Sequence, residues 1–234
     1  MHVITSIDGV LRTLSVSQTE GSQSARTLVT GFPALDELLP GGTFASGAVH
    51  EVLSATHTPS YLLPVLVAGP AARFGRVVWC DKDRQLHPPA LAALGLPLDR
   101  LLVLRPAGAV DELWAMTECL RCRGVGACVA TLPRMSRLQA RRLQLAAERG
   151  GGVGIVLRPA GAVSWPYAAA TRWLVRPAKG ERTVQRWSVE LIHGHGGRVG
   201  QSVFLEVCRE THHVRAVETV VHRQNQTQAI PASA

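Results

Sequence analysis

A short apolar strand over residues 48–53 runs straight into Ser54-Ala55-Thr56-His57-Thr58-Pro59-Ser60-Tyr61, and this junction constrains the chain more than any other stretch. At such a strand-to-helix junction a nucleotide-binding α/β protein carries a phosphate loop, G-x-x-x-x-G-K-[ST]. Its backbone N–H groups curl around phosphate oxygens, its Lys reaches the outer phosphates and its hydroxyl holds Mg²⁺. Here Ser54 and Pro59 stand at the two glycine positions, Ser60 at the Lys and Tyr61 at the hydroxyl. Pro59 has no N–H to donate, and Ser60 supplies no charge. The frame of a nucleotide-binding core is present without the groups that hold a nucleotide, so no cofactor is expected.

The remaining pattern supports that frame. With 234 residues and 46% hydrophobic content, the chain is long enough for one α/β domain with a substantial core. Strands are predicted over residues 48–53, 76–80, 101–104, 126–132 and 152–157, alternating with helices as a parallel sheet requires. The helices fall after Thr58, which can serve as N-cap with Pro59 at the first position, and over 88–94, 110–123 and 136–149. Beyond Trp165 the period shortens. Residues 171–175, 186–192 and 202–207 alternate polar and apolar, which predicts an antiparallel C-terminal extension of the sheet.

The two ends read differently. Ile4, Ile7, Leu11 and Leu14 recur at spacings of three and four, the stripe of a short helix over residues 4–16. The polar stretch 18–26 then reads as a linker, so 1–26 is expected to lie outside a core spanning 27–221. Such a stripe either packs back on its own domain or serves as a partner-binding helix. Residues 222–234 lack a core-forming pattern and are expected to be a mobile tail.

Composition narrows the function classes. The net charge is +8 and the cations are mostly Arg, whose forked guanidinium suits phosphates and carboxylates alike. An Arg-rich genome that writes Arg at any solvated position would leave the same signature. The longest apolar stretch, residues 62–72, is broken by Pro64, Gly69 and Pro70, so no membrane span is expected. The start of the chain lacks a secretory pattern, and the five cysteines read as reduced thiols of a cytoplasmic protein. Cys119-x-x-Cys122 has no second pair at zinc-ribbon spacing, and His193-Gly-His195 lies in a glycine-rich turn, so no metal is expected. No G-x-S-x-G elbow supports a hydrolase. Arg134, Arg137 and Arg141 recur at helical spacing and read as a partner- or DNA-binding face, or as an ordinary solvated one.

Several motifs together resemble a RecA-type ATPase core over residues 27–208. Thr30-Gly31 and Leu35-Asp36 match the family's entry turn, and 79–83 (WCDKD) matches the end of its second core strand. There the resemblance implies a catalytic Glu, and only Lys82 or Asp83 is present. Its Walker B strand would end in a Mg²⁺-shell acid, and Thr131 stands there instead. The next strand would end in a sensor Gln and leads instead into Arg158-Pro159. Both DNA-reading loops of that family are cut short, one between Thr131 and Ser136 and the other between Arg158 and Thr171.

Leu-Leu-Pro-Gly-Gly (38–42), Leu-Trp-Ala (113–115) and Arg-Arg-Leu-Gln-Leu-Ala-Ala-Glu (141–148) make this remnant similar to the ImuA family, RecA-like and SulA-related. That resemblance implies a non-catalytic accessory role in SOS-induced, error-prone translesion DNA synthesis after DNA damage. It implies as partners an ImuB-type inactive Y-family polymerase homologue and an error-prone DNA polymerase III alpha-type subunit, with RecA and weak DNA binding as secondary expectations. The expected location is the cytoplasm, near the nucleoid. Two rival readings are a residual ATPase of the RecA type with Asp83 as base, and a SulA-like inhibitor of cell division. The first is tested directly. Titration calorimetry with Mg·ATP is expected to show no binding in the millimolar range or tighter, and a saturable micromolar site would restore the ATPase reading.

Overall fold

The computed structural model describes residues 2–4, 26–55 and 60–221. Ten of the described strands form one sheet. They are β1 (His2–Ile4), β4 (Val49–Ser54), β5 (Arg76–Cys80), β6 (Leu101–Leu104), β7 (Val125–Thr131), β8 (Val153–Pro159), β9 (Thr171–Ala178), β10 (Val184–Gly194), β11 (Gln201–Cys208) and β12 (Val214–Val221). The order is β1-β6-β5-β7-β8-β4-β9-β10-β11-β12, parallel from β1 to β9 and antiparallel from β9 to β12. A separate small ribbon pairs β2 (Thr27–Leu28) with β3 (Phe44–Ala45). The mostly parallel α/β sheet with an antiparallel C-terminal extension is therefore as expected, with β1 and β12 as further strands.

Both faces of the parallel part are apolar, because helices cover each. Val77, Trp79, Val129, Ile155, Leu157 and Trp173 point to one face, where α2 (Leu62–Ala71) packs. That helix is buried on nearly every side, which explains its continuous run of apolar residues. Val78, Cys80, Cys128, Ala130 and Val156 point to the other face. There α4 (Ala109–Arg121) contributes Ala115, Met116, Cys119 and Leu120, and α5 (Arg137–Gly150) contributes Leu143, Ala146 and Ala147. A capping box starts α5: Gln139 N–H donates to Ser136 Oγ, and Ser136 N–H donates to Gln139 Oε1. Two short helices, α1 (Pro33–Asp36) and α3 (Pro88–Ala93), complete the α-helices among the described residues. The Thr-Gly…Leu-Asp motif has a local cause: Thr30 donates to Asp36 Oδ1 through both N–H and Oγ1, each at 2.9 Å, while Gly31 takes a φ of +86°.

Three expectations need correction. Ile4 is strand, aligned with Leu104 of β6, because the open edge of the sheet offers backbone pairing; Ile7, Leu11 and Leu14 lie outside the described residues. The helix after β4 begins at Leu62 with Tyr61 at its N-cap, so Thr58 does not cap it, and Thr58 and Pro59 lie outside the described residues. Arg134 precedes α5 rather than sharing its face, since Ser136 ends the helix first. The tail 222–234 is likewise outside the described residues.

One charged cluster lies inside the sheet. Glu51 of β4, Arg158 of β8 and Arg172 of β9 share a face, with exposures of 1%, 2% and 3%. Glu51 Oε1 accepts from Arg158 Nη1 at 3.0 Å, and Oε2 accepts from Arg172 Nε at 2.9 Å. One carboxylate thus faces two guanidiniums. The excess positive charge is met by carbonyl dipoles and ring faces. Arg172 donates to the oxygens of Ala162 and Val163 and lies 4.1 Å from the Tyr167 ring centre. Arg158 donates to Pro166 O and lies 5.6 Å from the Trp165 ring centre. The two arginines thereby fasten the β8–β9 connection to the sheet. Replacing Glu51 with Gln is expected to cost about 3–5 kcal/mol in urea denaturation, because two buried cations lose their counter-charge. Proteolytic nicking between residues 160 and 170 should rise with it.

Candidate functional site

Parallel strands with helices on both faces leave a crevice at their carboxyl ends. Here it is a cavity of about 350 Å³, lined from β4 by Ser54, from the end of β5 by Cys80, Asp81, Lys82 and Asp83, from β7 by Thr131 and from β8 by Arg158 and Pro159. Tyr61, at the head of α2, and Trp79 form an aromatic wall, their rings edge to face at 5.3 Å.

The first turn of α4 adds a residue that motif reading passes over. Glu112 continues the buried stripe Ala115, Met116, Cys119 and Leu120, where a carboxylate has no place in a packed core. Its side chain reaches the end of β7, and Oε1 accepts from Thr131 N–H at 3.3 Å. An acid supplied by the helix therefore lies within hydrogen-bonding reach of the end of β7, where the strand itself carries Thr131. Burial pushes the Glu112 carboxyl up to about 7, and Asp83 and Asp81 add to the shift, while the Thr131 N–H and Lys82 oppose it. The signal was present in the sequence as an acid on an apolar helical stripe.

The other acids are committed in part. Asp81 Oδ1 accepts from the N–H groups of Gln85 at 2.8 Å and Leu86 at 3.2 Å. Asp83, half-exposed, pairs with Lys82 Nζ at 2.5 Å, which ties up the carboxylate that would act as a residual base. Asp81 Oδ2, Glu112 Oε2 and the Nε and Nη2 groups of Arg158 are buried without a hydrogen-bond partner. Tyr61 is held above its ordinary value by burial and by Asp81, Asp83 and Glu112.

Of the residues singled out beforehand, Ser54, Tyr61 and Thr131 meet in this cavity. Ser60 is buried just before α2. Arg134, Arg137 and Arg141 are exposed, with Arg134 over the Trp165 ring at 5.6 Å and Arg141 3.6 Å from the Glu148 carboxylate. Beside them α5 exposes Leu138 and Leu145, and α4 exposes Trp114. Cys119 and Cys80 hydrogen-bond with Cys128 in the core. His193 contacts the Tyr167 hydroxyl at 3.2 Å. Among the described residues no group of three metal-ligating side chains could hold an ion, and no helix is long and apolar enough to cross a membrane.

No family model matches the chain. Protein ImuA of Caulobacter vibrioides (strain NA1000 / CB15N) is 34% identical over 193 residues, covering 73% of this chain and 79% of that protein. The cell division inhibitor SulA of Photorhabdus laumondii is 31% identical over 99 residues, 42% of this chain and 55% of that protein. Among solved structures, the RadB recombinase superposes with a TM-score of 0.62 at 15% identity, covering 82% of this chain and all of that one. The KaiC-like protein PH0186 of Pyrococcus horikoshii OT3 does so with a TM-score of 0.60 at 14% identity, covering 83% of this chain. These structures share the RecA-like fold.

The buried acid gives the site a pH signature. Folded Glu112 holds its proton up to about pH 7, whereas the unfolded chain releases it near 4.5. Between those values the folded state binds more protons, so this group's contribution to stability falls as pH rises and levels off above 7. Glu112→Gln is expected to gain about 1–3 kcal/mol over the native chain at pH 8 and nothing at pH 4, in urea denaturation at each pH.

Proposed function

The chain belongs to the ImuA family, and on that premise we propose that it is a non-catalytic RecA-like accessory protein of SOS-induced, error-prone translesion DNA synthesis. In this reading it works by binding an ImuB-type polymerase homologue and a mutagenic replicative-type polymerase. The observation that carries the proposal is the 34% identity with Protein ImuA across most of both chains. The chemistry of the strand-end cavity supports the non-catalytic part. Asp81, Asp83 and Glu112 line it with Lys82 and Arg158, and each of those two cations is already paired with a carboxylate, whereas the transfer of a phosphoryl group calls for cations and N–H donors directed at the phosphate. The connection between Thr131 and Ser136 is short, and that between β8 and β9 is pinned by Arg158 and Arg172, so neither is built as a loop that moves to grip DNA.

Partner binding falls on the exposed face around the start of α5. Arg134, Arg137 and Arg141 stand beside Leu138, which is 61% exposed, and such a mixture of cations and apolar groups suits a protein surface. A second reading, inhibition of cell division, has the SulA likeness behind it, although that covers only 42% of this chain. Co-purification with the polymerase-like product of a neighbouring gene separates the two, and its failure would remove the first.

Changing Arg134, Arg137 and Arg141 together to Gln is expected to weaken association with the polymerase homologue at least tenfold. Folding stability should move by less than about 1 kcal/mol, because exposed charges contribute little. DNA affinity should hardly change. A loss of about 2–3 in the slope of log affinity against log salt would instead assign the three arginines to phosphates, at about 0.9 per contact.

A further inference from the structure

The amino ends of the parallel strands form the edge of the sheet opposite the cavity, and arginines collect there. Strands β6, β5, β7 and β8 are consecutive neighbours. Arg100 directly precedes β6, Arg76 opens β5 with Arg73 just before it, Arg121 and Arg123 precede β7, and Arg149 precedes β8. All but Arg76 are exposed. Backbone contacts join these connections into one surface. Arg76 N–H donates to Gly124 O at 2.8 Å, and Val77 N–H donates to Arg100 O at 3.0 Å. Gly150 packs so tightly on the end of α4 that a Cβ there would meet Leu120 O at 2.0 Å and the Arg121 backbone at 3.0 Å. With neighbouring strands about 4.8 Å apart, the row extends over about 14 Å.

The carboxylates nearby do not balance it. Asp99 lies 3.7 Å from Arg100, and Glu118 pairs with Arg121. Glu148 turns back along α5 to Gln144 and Arg141. Among the described residues Arg73, Arg76, Arg123 and Arg149 pair with no carboxylate; Arg73 donates to Thr27 O and Arg76 to Asp99 O. Helices α2, α4 and α5 end at this edge, and their terminal carbonyls offset about half a charge each. Asp99, Glu118 and those carbonyls together leave about two of the six cations uncompensated.

The chemistry of the edge selects the polyanion. Among the described residues none of the exposed large apolar side chains falls in these connections, so the apolar centre of a protein interface is missing. The aromatic residue here, Phe74, is half-buried, and the Arg26 and Arg73 guanidiniums lie 5.3 and 4.5 Å from its ring centre. Its ring is therefore taken, and no platform is left for stacking unpaired bases. A flat row of guanidinium forks about 14 Å long matches about four successive phosphates of one strand of a duplex, at about 3.4 Å of helix axis each.

We propose that this edge binds the phosphate backbone of duplex DNA without reading its sequence. The site lies one length of α5 from Arg137, about 20 Å for its 14 residues, so it leaves the exposed face at the start of that helix free. It does not depend on which protein the chain binds.

Fluorescence anisotropy with labelled 20-base-pair duplexes of two unrelated sequences tests it on the intact chain. Binding with a Kd of about 10 μM or tighter at 50 mM salt is expected, equal for both sequences, with a log–log salt slope of about −3 to −4. Arg100, Arg123 and Arg149 changed together to Gln should lose at least tenfold in affinity and about 2–3 in slope, at about 0.9 per phosphate contact. The same three positions changed to Lys should keep both. Neither variant should shift the thermal melt, because exposed charges contribute little to folding. Equal binding by the native chain and the Gln variant would overturn the proposal. So would a Gln variant that keeps its DNA affinity and loses the polymerase homologue, which would give the edge to an acidic protein surface.

Discussion

The paired arginines on Glu51 hold the functional end of this molecule together. Three neighbouring strands, β8, β4 and β9, each place one charged side chain on the same face, and the two guanidiniums reach out to carbonyls of the β8–β9 connection. A buried ion pair seldom adds much net stability, since desolvation offsets the attraction. Its value here is geometric. The connection has few apolar anchors, Ala162 chief among them, and the arginine donors give its backbone a defined path. That path sets the position of Arg158 and Pro159, which form one end of the cavity. A site wall is thus fixed from inside the sheet, and the loop itself contributes little.

The architecture was largely legible because its elements are periodic and strongly apolar. Residues 76–80 and 101–104 are strands with the expected bounds, since a central parallel strand is a short apolar run that nothing else explains. Illegible parts had physical reasons. Ile4 fits a helical stripe by spacing, yet a sheet edge offers it backbone pairing that no sequence window can register. Strand β12 pairs with β11, and its mixed run Val-Arg-Ala-Val carries too little alternation to announce itself. The cluster of Glu51, Arg158 and Arg172 joins residues far apart in sequence, and only the strand order β8-β4-β9 makes them neighbours.

The candidate site was legible by position and not by chemistry. Loop and strand-end motifs located it, and Ser54, Tyr61 and Thr131 do line the same cavity. What the motifs could not supply was Glu112, because template matching asks what replaced a residue at its own position. Here the acid near Thr131 arrives from a helix that starts after a different strand. A residue-by-residue comparison records a loss, whereas the folded chain records a carboxylate within hydrogen-bonding reach of the same strand end.

A parallel sheet generates a crevice at its strand ends whether or not the chemistry there survives, because the helices diverge from the sheet as the chain reverses. The crevice therefore does not depend on which side chains line it. It leaves a sheltered space of low dielectric constant in which each remaining charge counts for more than it would in water. Asp81, Asp83 and Glu112 are close enough to perturb the same Tyr61 hydroxyl, with Lys82 already paired to one of them. Under those conditions the sign of the local field is set by a few side chains, not by the +8 of the whole chain.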